Sequence, residues 1–356
     1  MQIFDAVIIG AGQCGLYTAK KLQDDNKHYV VLERHAVGQV WLRRLEGMRL
    51  FTSRQFSQLP GLTFTGDGNG FPDVKEMANY LKAYAAKFKL NIRENAEVET
   101  LTKVDGKFLI TLQGGQEIQA KTVINATGSN QVPIVPEMSK SLSEHIIQYT
   151  ADITSLNTII DNSRVVVVGD GATGRQIAAR LANRCQVVLA TGSSRGLPPN
   201  TILGKDIFWW LKKIGILDAS NTSLVAKILK KRNPVPCAEF NNTKLKKLGV
   251  TIKPRAINCD KDTIIFKDGE IENVDIVIWA VGYKDETSWL KIYSCFNKDG
   301  FIHDKGVTPE PGLFVIGRKW LSSRGSELIL GVEKDVNSLM LDFYDFENKN
   351  LDKVKS

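Results

Sequence analysis

The chain is a basic protein of ordinary composition. Its 356 residues carry a formal net charge of +8 and are 43% hydrophobic, which is enough for about two globular domains with a buried core. The lysines are scattered and no nucleic-acid-binding motif accompanies them, so we expect no nucleic-acid partner. Five cysteines without a C-x-x-C pair and only four histidines argue against a disulfide framework, a metal site and a dithiol redox centre.

The start of the chain and its apolar runs carry no sign of export or of a membrane span. The first predicted strand begins near residue 3, with no basic region and apolar stretch of signal-peptide form before it. No apolar run reaches the roughly 18 residues of a membrane helix. We therefore expect a cytoplasmic protein without a stable membrane span.

A glycine-rich turn follows the first predicted strand. Residues 4–9 lead into Gly10-Ala11-Gly12-Gln13-Cys14-Gly15, then into a predicted helix over residues 13–23 and a strand over residues 29–32 that ends at Glu33. The pattern G-x-G-x-x-G with a later acidic residue is typical of a dinucleotide site. The pyrophosphate lies on the helix N-terminus and the carboxylate accepts the ribose hydroxyls.

The next hundred residues predict a binding segment, a helix and a small meander. Residues 34–73 lack long periodicity and are rich in arginine and aromatics, as binding segments often are. A helix is expected over residues 73–88 and a hairpin meander over residues 97–119. A strand over residues 122–125 then leads into Ala126-Thr127-Gly128, which is small enough for a close approach to a cofactor. Residues 133–163 read as loop.

A second glycine turn repeats the first about 160 residues later. A predicted strand, 164–168, leads into Gly169-Asp170-Gly171-Ala172-Thr173-Gly174, a helix over residues 172–183 and a strand over residues 186–190. The following Thr191-Gly192-Ser193-Ser194-Arg195 holds no carboxylate. Arginine can pair with a 2′-phosphate that a carboxylate would repel, so this unit favours NADP and the first favours FAD or NAD. Two dinucleotides in one chain indicate electron transfer between them.

The remaining sequence predicts a basic aromatic segment and a return to the first domain. Residues 207–232 mix Phe208-Trp209-Trp210 with lysines. Such an element can lie on a membrane or on a partner chain, but we favour an active-site cover or a subunit contact, which leaves a homodimer open. A strand over residues 275–279 ends in Ala280-Val281-Gly282-Tyr283, an echo of Ala126-Thr127-Gly128. A strand over residues 312–317, a helix over residues 325–341 and a frayed, charged tail complete the chain.

Together these motifs resemble the two-dinucleotide-binding-domain flavoproteins, and among them the flavin-containing monooxygenases, including the small bacterial members and the plant YUCCA type. The resemblance covers nearly the whole chain. It rests on both glycine turns, Glu33-Arg34, Gly38, Trp41, Arg49-Leu50-Phe51-Thr52, Ala126-Thr127-Gly128, residues 278–283, residues 312–317 and Arg324-Gly325-Ser326.

The resemblance implies an α/β fold of two Rossmann-like dinucleotide-binding domains, with the NADP domain inserted in the FAD domain. The implied FAD domain comprises residues 1–148 and 285–346, the NAD(P) domain residues 149–284, and the charged tail residues 347–356. The implied activity is an NADPH-reduced monooxygenase that uses FAD and O₂ and oxidises a small nucleophilic or carbonyl substrate through a C4a-peroxyflavin.

The resemblance also implies a set of site residues. The catalytic lining would be Thr52, Ser53 and Tyr283. The cofactor-binding residues would be Gly10, Gly12, Gly15, Glu33, Arg34, Trp41, Ala126, Thr127, Gly128, Gly169, Gly171, Ala172, Thr173, Gly174, Ser193, Arg195, Gly282, Gly317 and Trp320.

One family motif is missing, and its absence keeps alternatives open. The sequence Phe-x-Gly-x-x-x-His-x-x-x-aromatic should precede the second unit, where this chain has Leu142, Glu144, Gln148 and Asp152. An NAD(P)H oxidase or flavin-dependent reductase on the same fold is therefore an alternative, and a flavin-bound sensor without turnover is a third. A dithiol disulfide reductase is excluded because no C-x-x-C pair is present.

Overall fold

The computed structural model describes residues 3–355; the side chains of Glu327 and of residues 350–355 lie outside the described part. Its helices are α1 (Gln13–Asp24), α2 (Gln39–Leu42), α3 (Val74–Phe88), α4 (Ala172–Leu181), α5 (Ile207–Lys213), α6 (Leu224–Arg232), α7 (Asn242–Lys247) and α8 (Val332–Lys355).

The strands fall into two larger sheets and several small ones. In chain order they are β1 (Ile3–Ile9), β2 (Tyr29–Leu32), β3 (Ile92–Arg93), β4 (Val98–Val104), β5 (Lys107–Leu112), β6 (Glu117–Asn125), β7 (Val132–Pro133), β8 (Ile147–Thr150), β9 (Arg164–Val168), β10 (Gln186–Ala190), β11 (Thr201–Ile202), β12 (Lys205–Asp206), β13 (Thr251–Lys253), β14 (Ala256–Asp260), β15 (Thr263–Phe266), β16 (Ile271–Asn273), β17 (Ile276–Trp279), β18 (Tyr283–Lys284), β19 (Phe296–Asn297), β20 (Gly300–Phe301) and β21 (Leu313–Val315).

The first sheet has the order β3-β2-β1-β6-β5-β4, with β21 beside β6. Strand β1 is parallel to β2 and β6, and its apolar side chains are buried on both faces, as in sheets covered by helices on each side. Strand β6 is one continuous strand that is antiparallel to β5 and parallel to β1, so the predicted break between the meander and the strand at residue 122 is absent. Helices α1, α3 and α8 share one apolar core with this sheet.

The second sheet is parallel throughout and has the order β13-β10-β9-β17-β8. The prediction that residues 133–163 are loop is wrong at β8, which pairs with β17. Ile147 and Gln148 of this strand are exposed and the other two residues are half-buried, so its sequence carried no apolar run to mark it. Because β21 returns to the first sheet after the second is complete, the second unit is inserted in the first. The fold prediction is confirmed, and the residue boundaries of the domains stay a prediction.

The C-terminal helix differs from the prediction at both ends. Two short 3-10 turns, over residues 324–327 and 329–331, precede α8. An ideal Cβ on Gly331 would lie 2.2 Å from the Gly325 carbonyl oxygen, so the two turns approach each other closely. Helix α8 continues to Lys355, and Lys27 pairs with Glu347 at 2.6 Å, while the bounds of the charged tail, residues 347–356, stay a prediction. Ser356 lies outside the described residues.

Candidate dinucleotide sites

The first glycine turn is tightly packed at two positions and open at the third. Gly10 has a φ of +103°, and an ideal Cβ there would lie 2.8 Å from the Ala126 carbonyl oxygen. A Cβ on Gly15 would lie 1.9 Å from the Gly10 carbonyl oxygen, whereas one on Gly12 would meet nothing within 4 Å. Helix α1 begins here without a side-chain cap or an acidic first turn. The open cradle and uncapped N–H groups fit a pyrophosphate.

The second turn repeats this geometry. Gly169 has a φ of +109°, and a Cβ there would lie 2.3 Å from the Ala280 carbonyl oxygen. A Cβ on Gly174 would lie 2.0 Å from the Gly169 carbonyl oxygen, and one on Gly171 would meet nothing within 4 Å. Helix α4 begins at Ala172, with Thr173 next, and also lacks a side-chain cap. Each turn therefore offers an anion the same cradle.

Glu33 lies where a ribose-binding carboxylate is expected. It accepts hydrogen bonds from the backbone N–H of Ala11 at 2.8 Å and of His35 at 3.1 Å. These bonds fix the carboxylate beside the first turn. The neighbouring Arg34 is exposed, and its guanidinium lies 3.8 Å from the Glu97 carboxylate, as in a surface ion pair. Its role in cofactor binding stays a prediction.

The corresponding end of the second unit contains a carboxylate that sequence reasoning missed. Arg195 Nη2 lies 3.4 Å from Asp170 Oδ1, and the buried Arg175 pairs with the same carboxylate at 3.2 Å. The Nε of Arg195 is buried and has no hydrogen-bond partner in the described part of the chain. Ser193 is exposed.

Three segments meet at one place: the start of α1, residues 126–128 after β6, and residues 317–318 after β21. The Asn125 side-chain oxygen accepts from the Thr127 N–H at 3.1 Å and from its hydroxyl at 2.7 Å. Arg318 Nη1 donates to the Gly128 carbonyl at 2.5 Å. An ideal Cβ on Gly317 would lie 3.3 Å from Cys14 Sγ. Burial raises the pKa of the Cys14 thiol to about 12, so it is not a ready nucleophile.

The two predicted tryptophans have different surroundings. Trp41 packs against the core of the first sheet, and its Nε1 is buried without a hydrogen-bond partner among the described residues. Trp320 is half-buried and follows the β21 strand end. The Lys230 ammonium of the inserted unit lies 5.0 Å from the centroid of the Trp320 ring, close enough for a cation–π contact.

Thr52 and Ser53 are buried against the inserted unit. The Thr52 hydroxyl lies 2.8 Å from the Ser57 hydroxyl, and the Ser53 N–H donates to Asp206 Oδ2 at 2.7 Å. Asp206 also accepts from the Phe208 N–H at 2.8 Å and thereby caps α5. Burial raises the pKa of Asp206. An aspartate before an apolar run is a helix-start signal that would have revealed this cap, but its partner Ser53 was not predictable from spacing.

Tyr283 has a different environment. Its hydroxyl accepts from Arg44 at 2.7 Å and donates to Asp152 at 2.8 Å, and burial raises its pKa. The adjacent Gly282 lies in the turn after β17. The tyrosine hydroxyl is thus already bonded to two side chains outside the Thr52–Ser53 loop, and its catalytic role stays a prediction.

Neither a metal cluster nor a membrane-crossing helix is found in residues 3–355. No group of three or more metal-ligating side chains comes together there. Each helix in this range is too short or too polar to cross a bilayer.

Two equivalent glycine cradles, one on a mixed sheet and one on a parallel sheet, are typical of oxidoreductases with two dinucleotide sites. The sequence family of pyridine nucleotide-disulphide oxidoreductases matches residues 7–204. An uncharacterized oxidoreductase CzcO from Bacillus subtilis is 35% identical, over 95% of this chain and 98% of its own length. The chain therefore belongs to the pyridine nucleotide-disulphide oxidoreductase family.

Two further comparisons bear on the predicted resemblance. The probable indole-3-pyruvate monooxygenase YUCCA8 from Arabidopsis thaliana is 27% identical over 94% of this chain and 88% of its own. The flavin-containing monooxygenase from Stenotrophomonas maltophilia has the same fold, with a TM-score of 0.80 at 21% identity over 97% of this chain and 99% of that one. The family resemblance is confirmed, and the chain is a flavin-dependent oxidoreductase. The flavin monooxygenases of this family use FAD and NADPH, which agrees with the cofactor prediction, and NADPH use by this chain is itself a proposal.

Proposed function

We propose that this chain is an FAD-dependent, NADPH-reduced monooxygenase that transfers one oxygen atom from O₂ to a small nucleophilic or carbonyl substrate. The observation that carries the proposal is the repeated cradle: Gly12 and Gly171 are each open at an uncapped helix start. When bound, the flavin supplies hydride acceptance from NADPH and activation of O₂. The flavin-bound route of oxygen transfer expected from the sequence is part of the same proposal.

The residues around each cradle divide the two cofactors between them. At the first, the N–H groups of α1 hold the FAD pyrophosphate and Glu33 holds the ribose. At the second, the α4 start holds the NADPH pyrophosphate, and the Arg195 guanidinium pairs with the 2′-phosphate. Asp170 Oδ1 lies 3.4 Å from Arg195 Nη2 and helps to hold this side chain in place. Electrons then pass from the second site to the first.

Helix α5 supplies the cover that oxygen chemistry needs. Phe208 lies in an apolar cluster with Phe56, Leu217 and Leu328, and Phe51 packs beside it. This cluster closes the Thr52–Ser53 loop against water, which would otherwise release activated oxygen as peroxide. Thr52, Ser53 and Tyr283 are proposed to line the substrate position.

An NAD(P)H oxidase or flavin-dependent reductase is the second candidate. In the region where the family motif is missing, two side chains make hydrogen bonds within the protein. Gln148 accepts from the Trp279 indole at 2.9 Å, and Asp152 accepts from the Tyr283 hydroxyl. If that motif is needed to couple NADPH oxidation to oxygenation, its loss favours release of peroxide.

The stoichiometry of peroxide to NADPH distinguishes the two candidates. Purified FAD-loaded protein is mixed with NADPH in air, with and without thioether, amine and cyclic ketone probes. We expect peroxide to fall below NADPH consumption with an accepted probe, and the product to carry oxygen from labelled O₂. Stoichiometric peroxide with every probe would establish the oxidase, and electron transfer to a quinone without peroxide would establish the reductase. The substrate, the cytoplasmic location and a homodimer stay predictions.

A further inference from the structure

The basic segment that follows β12 divides into two helices with different surroundings. Helix α5 buries Ile207 and Phe208 against the first domain, as an active-site cover would. Helix α6 instead buries only Ala226 and leaves the apolar side chains of Leu224, Val225 and Ile228 exposed at 76%, 38% and 52%. Exposed apolar side chains grouped on one helix are unusual on a soluble surface and mark a contact site.

The apolar side chains of α6 lie on one stripe. Leu224 and Ile228 are four residues apart and Val225 is beside them, so all three point to the same side of the helix, away from Ala226. On the inner side, the Lys230 ammonium donates to the Asn221 carbonyl at 3.0 Å and reaches the Trp320 ring. The outer stripe is therefore the surface that α6 presents to its surroundings.

Positive charge borders this stripe. Lys227, Lys231 and Arg232 are all exposed. In residues 201–232 the acidic residues are Asp206 and Asp218. The first is buried under α5, and the second lies 3.4 Å from the Lys334 ammonium. We call Leu224, Val225, Ile228, Lys227, Lys231 and Arg232 the α6 face.

We propose that the α6 face binds an anionic lipid surface as a peripheral contact. An apolar stripe bordered by lysine and arginine matches a bilayer interface, where the stripe enters the acyl boundary and the cations meet phosphate headgroups. A second copy of this chain would bring an equally basic face against it, and like charges would oppose that dimer. Because no helix in residues 3–355 can cross a bilayer, the contact is limited to the interface.

The test is co-sedimentation of the FAD-loaded full chain with vesicles. Phosphatidylcholine vesicles with phosphatidylglycerol are compared with phosphatidylcholine alone, at low and at high salt. We expect binding to the anionic vesicles that high salt reverses. Leu224→Ser with Ile228→Ser should weaken the partition coefficient about tenfold or more. Lys227→Gln with Lys231→Gln should weaken it about fivefold per charge.

A matched control removes two exposed apolar side chains elsewhere. Ile257 and Ile271, on β14 and β16, are 53% and 61% exposed. Ile257→Ser with Ile271→Ser should leave vesicle binding unchanged. The visible flavin band checks that every variant is folded.

Three results would overturn the proposal. The first is no binding to anionic vesicles at low salt. The second is equal binding by wild type and the Leu224→Ser/Ile228→Ser variant, which would mean attraction to any polyanion. The third is a concentration-dependent dimer that this variant abolishes, without vesicle binding, which would make the face an interface between copies.

Discussion

Backbone packing determines which glycines of the two turns the fold itself requires. At Gly15 and Gly174 a Cβ would lie 1.9 and 2.0 Å from a backbone carbonyl oxygen, so any larger residue must move the chain. At Gly12 and Gly171 a Cβ would touch no protein atom within 4 Å. Only a ligand seated on the helix start makes alanine costly at these two positions.

Gly12→Ala and Gly171→Ala test this separation. We expect Gly12→Ala to raise the Kd for FAD about tenfold or more, equivalent to ~1.4 kcal/mol, because the added methyl displaces the pyrophosphate. Gly171→Ala should raise the Kd for NADPH similarly and leave FAD binding unchanged. Flavin fluorescence and NADPH titration measure the two constants, and each variant is the other's control. An effect on the wrong cofactor, or on neither, would refute the assignment of the cradles.

Arg195→Ala tests the 2′-phosphate contact. Loss of the guanidinium should raise the KM for NADPH about tenfold or more and change the KM for NADH little, since only NADPH carries the 2′-phosphate. Arg180 is a matched arginine of the same domain, whose guanidinium donates to the Glu46 and Gly47 carbonyls at 2.6 Å each. Arg180→Ala should affect both nucleotides alike. Equal losses for Arg195→Ala would remove the assignment.

At the residue scale the sequence predicts what lies at fixed spacing along one βαβ unit. Glu33 was predictable because its offset from the first turn is set by one helix and one strand. The pairing of Asp170 with Arg195 was not, because it depends on how the ends of β9 and β10 are placed side by side. Likewise, the Arg44–Tyr283–Asp152 contacts join three segments distant in sequence.

At the element scale, α5 depends on a single carboxylate shared with the other domain. Asp206→Ala loses both the cap to Phe208 and the bond from Ser53. We expect it to lower the free energy of unfolding by about 2–3 kcal/mol. Asp206→Ser keeps a capping oxygen but is too short for Ser53, so it should recover ~1 kcal/mol of that loss. Urea unfolding measures both. Equal stability of the two variants would show that the cap contributes nothing.

The first turn of α8 carries a buried acid that makes stability depend on pH. Asp335 is 3% exposed and is bonded by the Ser322 hydroxyl. Burial raises the pKa of Asp335 above 3.8, its ordinary value. The folded state therefore keeps a proton that the unfolded state has lost, and the free energy of unfolding falls as pH rises from 3.8 through the raised pKa.

Asp335→Asn tests this dependence. The melting temperature of the variant relative to wild type should increase across that pH window, because the amide cannot ionise. Burial also raises the pKa of Asp206. Because Asp206 is unchanged in this variant, its contribution to the pH dependence of stability is the same in variant and wild type. A difference between variant and wild type that stays constant with pH would contradict the account.

Elements with strong local signals were predictable, and those made by tertiary pairing were not. Helix α3 was predictable because Asp73, a helix-capping residue type, precedes an apolar repeat, and in the structure Asp73 and Glu76 form a capping box. Strand β8 has no such signal and exists because β17 offers it an edge. The charged composition of residues 347–356 predicts a frayed tail, whereas the pairing of Lys27, in the segment after α1, with Glu347 of α8 could not be predicted because the two residues lie far apart in sequence.

At the scale of the whole molecule, hydrogen bonds join the two domains at several places. Arg180 holds the Glu46–Gly47 turn, and Asp206 holds Ser53. Asn221 donates to the Leu321 carbonyl at 3.0 Å, beside Trp320. The order of domains followed from the repeated motifs in sequence, but these contacts could only be seen in the folded chain. They set the second cradle against the domain that carries the first.

The central claim is that electrons pass from a nucleotide in the second cradle to a flavin in the first. Its most direct test is anaerobic mixing of the purified, FAD-loaded protein with NADPH while the visible flavin band is recorded. The account predicts that one NADPH bleaches one flavin, and that Gly171→Ala slows the bleaching without loss of bound FAD. A flavin band that persists with excess NADPH would contradict it.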